Sequence, residues 1–197
     1  MIIGICGKSG SGKTTLANQI KKYTDGEVAH LEIDKVGHKV NLLPEVKKEL
    51  IEAFGGKILM GEEIDRKKLS KIVFGSKNEM DKLAEITWKY MDAEIEKFIR
   101  ENKDKTIILD WLLLTVTRYF AMCDIKILLD VPYEERLNRT IERDNITKEA
   151  FDLREKASID YNFEEFDYVL SSNDEETVRR ILKKWKNVYY TLEVLIQ

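Results

Sequence analysis

Short apolar runs recur along the chain, and longer stretches with apolar positions three and four residues apart separate them. The runs at 1–6, 28–33, 106–110, 125–130 and 168–171 predict strands. Each is a short, nearly continuous apolar block, the pattern of a strand covered on both faces in a parallel sheet. The intervening periodicity predicts helices. One starts at Gly12, runs to about Tyr23 and ends at Thr24-Asp25-Gly26. A second starts at Pro44, a residue suited to the first helical position, and stops at the glycine pair after Phe54. A short helix fits 65–74. The clearest runs through 77–102, with Met80, Leu83, Ile86, Tyr90, Met91, Ile95, Phe98 and Ile99 at helical spacing. Pro132 opens a charged helix through about Arg143, Thr147 caps the next, and Ser172 with Glu175 form a capping box before the last. The segments 55–66 and 134–156 are rich in charge and poor in apolar period, which marks them as mobile, substrate-facing candidates.

Alternation of strands and helices predicts an α/β architecture, a five-stranded parallel sheet flanked by helices in three layers. The 197 residues fit one domain, 1–197. No apolar run approaches the ~20 residues of a membrane helix, so no membrane partner is expected. The start MIIGIC is too short for a signal peptide and reads as a strand. Net charge is −3 with both signs interspersed, which gives no nucleic-acid footprint. Cys6 and Cys123 are too few for a disulfide framework and read as small core residues of a protein in the reducing cytoplasm.

The chemistry begins at GKSGSGKT, residues 7–14, a full match to G-x-x-x-x-G-K-[ST] between an apolar strand and an amphipathic helix. This is a P-loop. Gly7, Gly10 and Gly12 let backbone N–H groups of the loop (Ser9 and Ser11 included) approach phosphate oxygens, and the following helix, with Thr15 in its first turn, adds its positive end. Lys13 reaches the β and γ phosphates, and the Thr14 hydroxyl is the Mg²⁺ ligand expected with ATP. Ligands of such sheets sit at the carboxyl ends of strands. Asp34, Asp110 and Asp130 each close a predicted strand. Asp110 has the form of a Walker-B acid, and Asp130 reads as a cap for the next helix. Asp34 is placed to meet an acceptor hydroxyl, and His38 lies one helical turn on. Arg136, Arg139 and Arg143 share a helix face and Arg154 follows on the next, as a lid closing over phosphates needs.

Further segments resemble the dephospho-CoA kinase family. EIDKVGH resembles its strand ending in Asp-x-x-x-His. FGGKIL followed by EEIDRKKLSKIVF resembles its F-G-x-x-I-L, I-D-R-x-x-L and V-F elements. PYEERLNRTIERDNITKEAFDLR resembles its lid, and FDYVLSSN its last strand and following Asn. The resemblance implies a P-loop kinase-like fold with an acceptor-binding helical part at about 40–102 and a lid at about 132–160. It implies phosphorylation of the ribose 3′-hydroxyl of dephospho-coenzyme A by ATP. By the same carry-over Lys13, Asp34 and Arg139 are the catalytic residues, with Asp34 the base and Arg139 the lid arginine. Arg143 and Asn173 join the ATP site, Asn173 near the adenine. Asp34, His38, Arg66 and Asp110 face the acceptor. Two segments depart from the pattern, as does Ser158, where the family has glutamine after Arg154. Trp88-Lys89 replace His-Pro after EIT, and WLLLTVT follows Asp110 where the family has x-Pro-Leu-Leu-Phe-Glu. Both lie on the acceptor side, so a nucleoside or nucleotide acceptor stays open beside dephospho-coenzyme A. A non-catalytic nucleotide-binding module is the remaining reading. A GTPase switch lacks its guanine-reading loop, since Asn102-Lys103-Asp104 precedes its strand.

Overall fold

The computed structural model describes residues 1–24, 27–172, 175–183 and 185. A five-stranded parallel sheet is built from β1 (Ile2–Gly7), β2 (Val28–Glu32), β5 (Thr106–Asp110), β6 (Ile125–Leu129) and β7 (Tyr168–Leu170). The strand order is β2-β5-β1-β6-β7. The register pairs Ile2 with Ile107, Ile3 with Ile125 and Val28 with Thr106, so β1 runs down the centre. Alternate residues of β1 feed opposite layers, as the period of a strand requires. Ile3 and Ile5 pack against Leu16, Ala17 and Ile20 of α1 (Lys13–Tyr23), with Val178, Ile181 and Leu182 in the same cluster. Cys6 faces the other layer with Ile107, Leu109 and Leu128.

That second layer is the helical part between β2 and β5. It holds α2 (Ile33–Val40), α3 (Pro44–Phe54), α4 (Arg66–Val73) and α5 (Lys77–Glu101). Their buried positions, Ile33, Val36 and Val40, then Val46, Leu50 and Phe54, then Leu69 and Val73, then Met91 and Ile95, repeat at helical spacing and meet in one core. Pro44 opens α3 as expected, and the Asp65 carboxylate caps α4 by accepting from the Lys67 and Lys68 amides at 2.9 and 3.2 Å. After β5 come the short α6 (Arg118–Ala121), then α7 (Tyr133–Asp144) and α8 (Lys148–Lys156) beyond β6. The Thr147 hydroxyl caps α8 through the Ala150 amide at 3.3 Å. Among the described residues no helix is long and apolar enough to cross a membrane.

Three local expectations change. Strand β2 stops at Glu32, and Ile33 already belongs to α2, because its apolar side chain continues the Val36 and Val40 face. Asp130 lies past β6 and is exposed; Pro132 is the N-cap residue of α7, which has no side-chain cap. The Asp130 amide instead donates to the Leu170 carbonyl at 2.8 Å, extending the β6–β7 pairing. The segment 55–66 folds into a 3-10 turn and a hairpin, β3 (Leu59–Met60) with β4 (Glu63–Ile64), closed by Lys47 against Glu63 at 3.1 Å.

Candidate active site

The loop between β1 and α1 lies at the carboxyl edge of the central strand. Gly7, Gly10 and Gly12 all have positive φ. Gly10 is pressed against α7: a Cβ there would stand 2.5 Å from the Arg136 carbonyl oxygen and 2.5 Å from Thr140 Oγ1. Ser11 is buried in the turn, its amide donating to the Lys8 carbonyl at 3.2 Å. Thr15 is exposed in the first turn of α1, and Ser9 is half-buried in the loop. Lys13 Nζ donates to the Gly7 carbonyl at 3.0 Å, which holds the ammonium over the loop mouth.

The Thr14 hydroxyl donates to Asp110 Oδ2 at 3.1 Å and lies 3.4 Å from Glu32 Oε2. Asp110, expected to face the acceptor, is thus placed on the phosphate side and is buried. His30 on β2 stands behind it, with Nε2 3.4 Å from Asp110 Oδ2. A hydroxyl beside two carboxylates is a hard oxygen donor set, and it fits Mg²⁺. Among the described residues no group of three or more His, Cys, Asp or Glu could cage a metal. Mg²⁺ takes one or two protein ligands and completes its shell with phosphate and water.

Asp34 sits in the first turn of α2, near enough to Lys13 and Asp110 to feel their charges. Trp111 Nε1 donates to its Oδ1 at 2.8 Å. One side of Asp34 is open to solvent, yet protein ringed around it pushes its carboxyl upward; Lys13 and the Trp111 bond pull the other way, Asp110 adds to the rise, and His38 lowers it. The enclosure wins because the charged form loses more hydration than one cation restores. His38, one turn along α2, has its imidazole lowered first by burial and then by the Arg66 guanidinium, with Asp34 opposing. Asp34, His38 and Arg66 therefore share one electrostatic neighbourhood. Tyr161 closes its side, donating to the Leu112 carbonyl at 2.8 Å.

The lid arginines divide. Arg143 stacks its charge on Asp144, donating at 2.7 and 3.1 Å, and is close enough to Asp34 to feel its field. Arg154 joins the same carboxylate from α8 at 2.7 Å. Arg139 is about half exposed and donates to Glu135, one turn back, at 2.8 Å. Arg136 turns inward. It grips Glu155 through two bonds of 2.7 and 2.9 Å, and donates to the carbonyls of Val131 at 2.8 Å and Ser9 at 3.4 Å. Asn173 lies outside the described residues.

A family model for dephospho-CoA kinase matches residues 1–178. The chain belongs to the dephospho-CoA kinase family. Among its relatives, the dephospho-CoA kinase of Fusobacterium nucleatum is 33% identical over 180 residues, 88% of this chain and 90% of that one. The dephospho-CoA kinase of Aquifex aeolicus is 33% identical over 193 residues, 94% and 96% of the two chains. The fold is that of solved structures. A protein of Thermus thermophilus superposes with a TM-score of 0.75 at 22% identity, covering 95% of this chain and 96% of its own. The dephospho-CoA kinase from Campylobacter jejuni gives 0.55 at 20% identity, covering 94% and 95%. Within this family frame, Glu32, His30, Glu155 and Trp111 are site neighbours that sequence reasoning missed. Glu32 was masked by its place inside an apolar run. The other three act through partners distant in sequence, which no spacing announces.

Proposed function

We propose that the chain transfers the γ-phosphoryl group of ATP to the ribose 3′-hydroxyl of dephospho-coenzyme A, the last step of coenzyme A synthesis, in the cytoplasm. The observation that carries the reading is the placement of Asp34. It feels Lys13 and Asp110 on the phosphate side and His38 on the other, with Arg66 acting on His38 in turn. The P-loop amides and Lys13 bind the phosphate chain. Thr14 and Asp110 would hold Mg²⁺, which would supply neutralisation of the phosphate charge. Asp34 accepts the proton of the attacking hydroxyl. Its raised pKa makes it a stronger base than an ordinary carboxylate. Arg143 already stands by the cleft, and Arg139 serves the transferring group by leaving Glu135 as α7 and α8 close. Such closure excludes water and favours transfer over hydrolysis.

Asp34→Asn keeps the shape and removes the base. Turnover should fall by about 10²–10⁴-fold, while ATP affinity by equilibrium titration stays near the parent value. Undiminished turnover would remove Asp34 from the chemistry. The acceptor is tested by phosphate transfer from labelled ATP to a panel. Dephospho-coenzyme A should be preferred, and transfer to nucleosides alone would replace it.

A further inference from the structure

The two segments that depart from the family pattern meet in space. Trp88 of α5 and Trp111 after β5 lie parallel, their ring centroids 5.9 Å apart and their planes 4° from each other. Trp111 is nearly enclosed, at 8% exposure. Its backbone is tied to the central strand, the amide donating to the Ile5 carbonyl at 3.1 Å. The next residue is tied as well, because the Leu112 carbonyl accepts from Tyr161 at 2.8 Å. The indole is thus fixed at its stem by the sheet and on its face by Trp88. Only one polar edge remains, and it points at Asp34 Oδ1 over 2.8 Å.

We propose that Trp111, backed by Trp88, is a positioning residue that orients the Asp34 carboxylate for the acceptor hydroxyl. An indole has one donor and no acceptor. By occupying Oδ1 it fixes the rotation of the carboxylate and leaves Oδ2 to take the hydroxyl proton. A carboxylate on the first turn of a helix at a solvent-facing cleft otherwise samples several rotamers. A rigid donor removes that freedom before the acceptor arrives, and small misplacements of a reacting group are costly. The missing His-Pro and x-Pro elements are, on this view, replaced by one stacked aromatic unit that performs the local positioning. This rests on Asp34 being the base.

Trp111→Phe keeps the stacking face and removes the donor. Its kcat should fall by about tenfold or more, with KM for ATP and for dephospho-coenzyme A changed by less than about twofold. A residue that served only packing would lower stability and leave this split unseen. A second readout is the indole N–H spectrum of ¹⁵N-labelled protein, which holds three tryptophans. The Trp111 peak should move in Asp34→Asn while that of Trp185 stays. If Trp111→Phe fails to fold, Trp88→Phe and Trp185→Phe assign the other two peaks and the third decides. An unmoved Trp111 peak in Asp34→Asn overturns the proposal. So does wild-type turnover in Trp111→Phe when Asp34→Asn is inactive, which sinks the positioning role alone. Full turnover in Asp34→Asn sinks the base assignment and the positioning role with it.

Discussion

Gly10 shows how one missing side chain joins the loop to the lid. Its φ of 79° is a left-handed conformation, and a methyl group would collide with the Arg136 carbonyl and Thr140 Oγ1 at 2.5 Å. Gly61 also has positive φ, 64°, but nothing lies within 4 Å of a Cβ there. The two alanine variants therefore separate conformational strain from contact. Gly61→Ala should cost about 1–2 kcal/mol, the left-handed penalty alone, and leave ATP binding unchanged. Gly10→Ala should cost more in urea unfolding and also weaken ATP binding, because Arg136 backbone or loop must move. Equal losses in the two variants would mean that the α7 contact is unimportant. The glycines and Lys13 were legible in the sequence because a phosphate loop needs those residue types at fixed spacing. The Gly10 contact with α7 was not, since it joins positions on opposite sides of the sheet's sequence.

At the scale of elements, the Arg136–Glu155 ion pair joins α7 to α8, and Lys8 ties Glu155 to the loop. Arg136 is 5% exposed and meets Glu155 and the Ser9 carbonyl, and Glu155 also accepts from Lys8 at 3.2 Å. A buried guanidinium is tolerable only while its partner is ionised. The Arg136 bond, then its charge, then Lys8 hold the Glu155 carboxyl below its usual range, against the opposing effect of burial. A depressed carboxyl stabilises the fold above its unfolded value of about 4.3 and loses that contribution as pH falls through its folded value. Arg136→Ala, which leaves Glu155 with Lys8 alone, should cost about 3 kcal/mol near neutrality by chemical unfolding. The margin between the two proteins should shrink as pH drops below about 4. A margin independent of pH would show that packing of the arginine stem, not the ion pair, holds the lid base. Spacing alone put Arg136, Arg139 and Arg143 on one face and could not rank them. Burial and partner choice do: Arg136 is structural mortar, Arg143 watches the cleft, and Arg139 is committed to Glu135 in this structure.

Over the whole molecule, the five strands and the helices α1, α3, α4 and α5 were legible because each is an apolar block or an apolar stripe; α2 was not, since the run through Ile33 read as strand. What the pattern could not supply was strand order. The insertion of β5 between β1 and β2 brings Asp110 beside Thr14 and Trp111 beside Asp34, and those pairings come from residues far apart in the chain. The same order divides the cleft. Lys13 and Thr14 come from the loop after β1, whereas His38 and Arg66 come from α2 and α4 in the helical layer. The two substrates should therefore act as separable stabilising ligands. At 100 times its dissociation constant each contributes about 2.7 kcal/mol, which raises the melting temperature by about 5–10 °C in a chain of this size. Lys13→Ala should lose most of the shift given by ATP with Mg²⁺ and keep that given by dephospho-coenzyme A. Arg66→Ala should do the reverse. Loss of both shifts in either variant would contradict two independent half-sites and would mean that one substrate completes the other's site across the cleft.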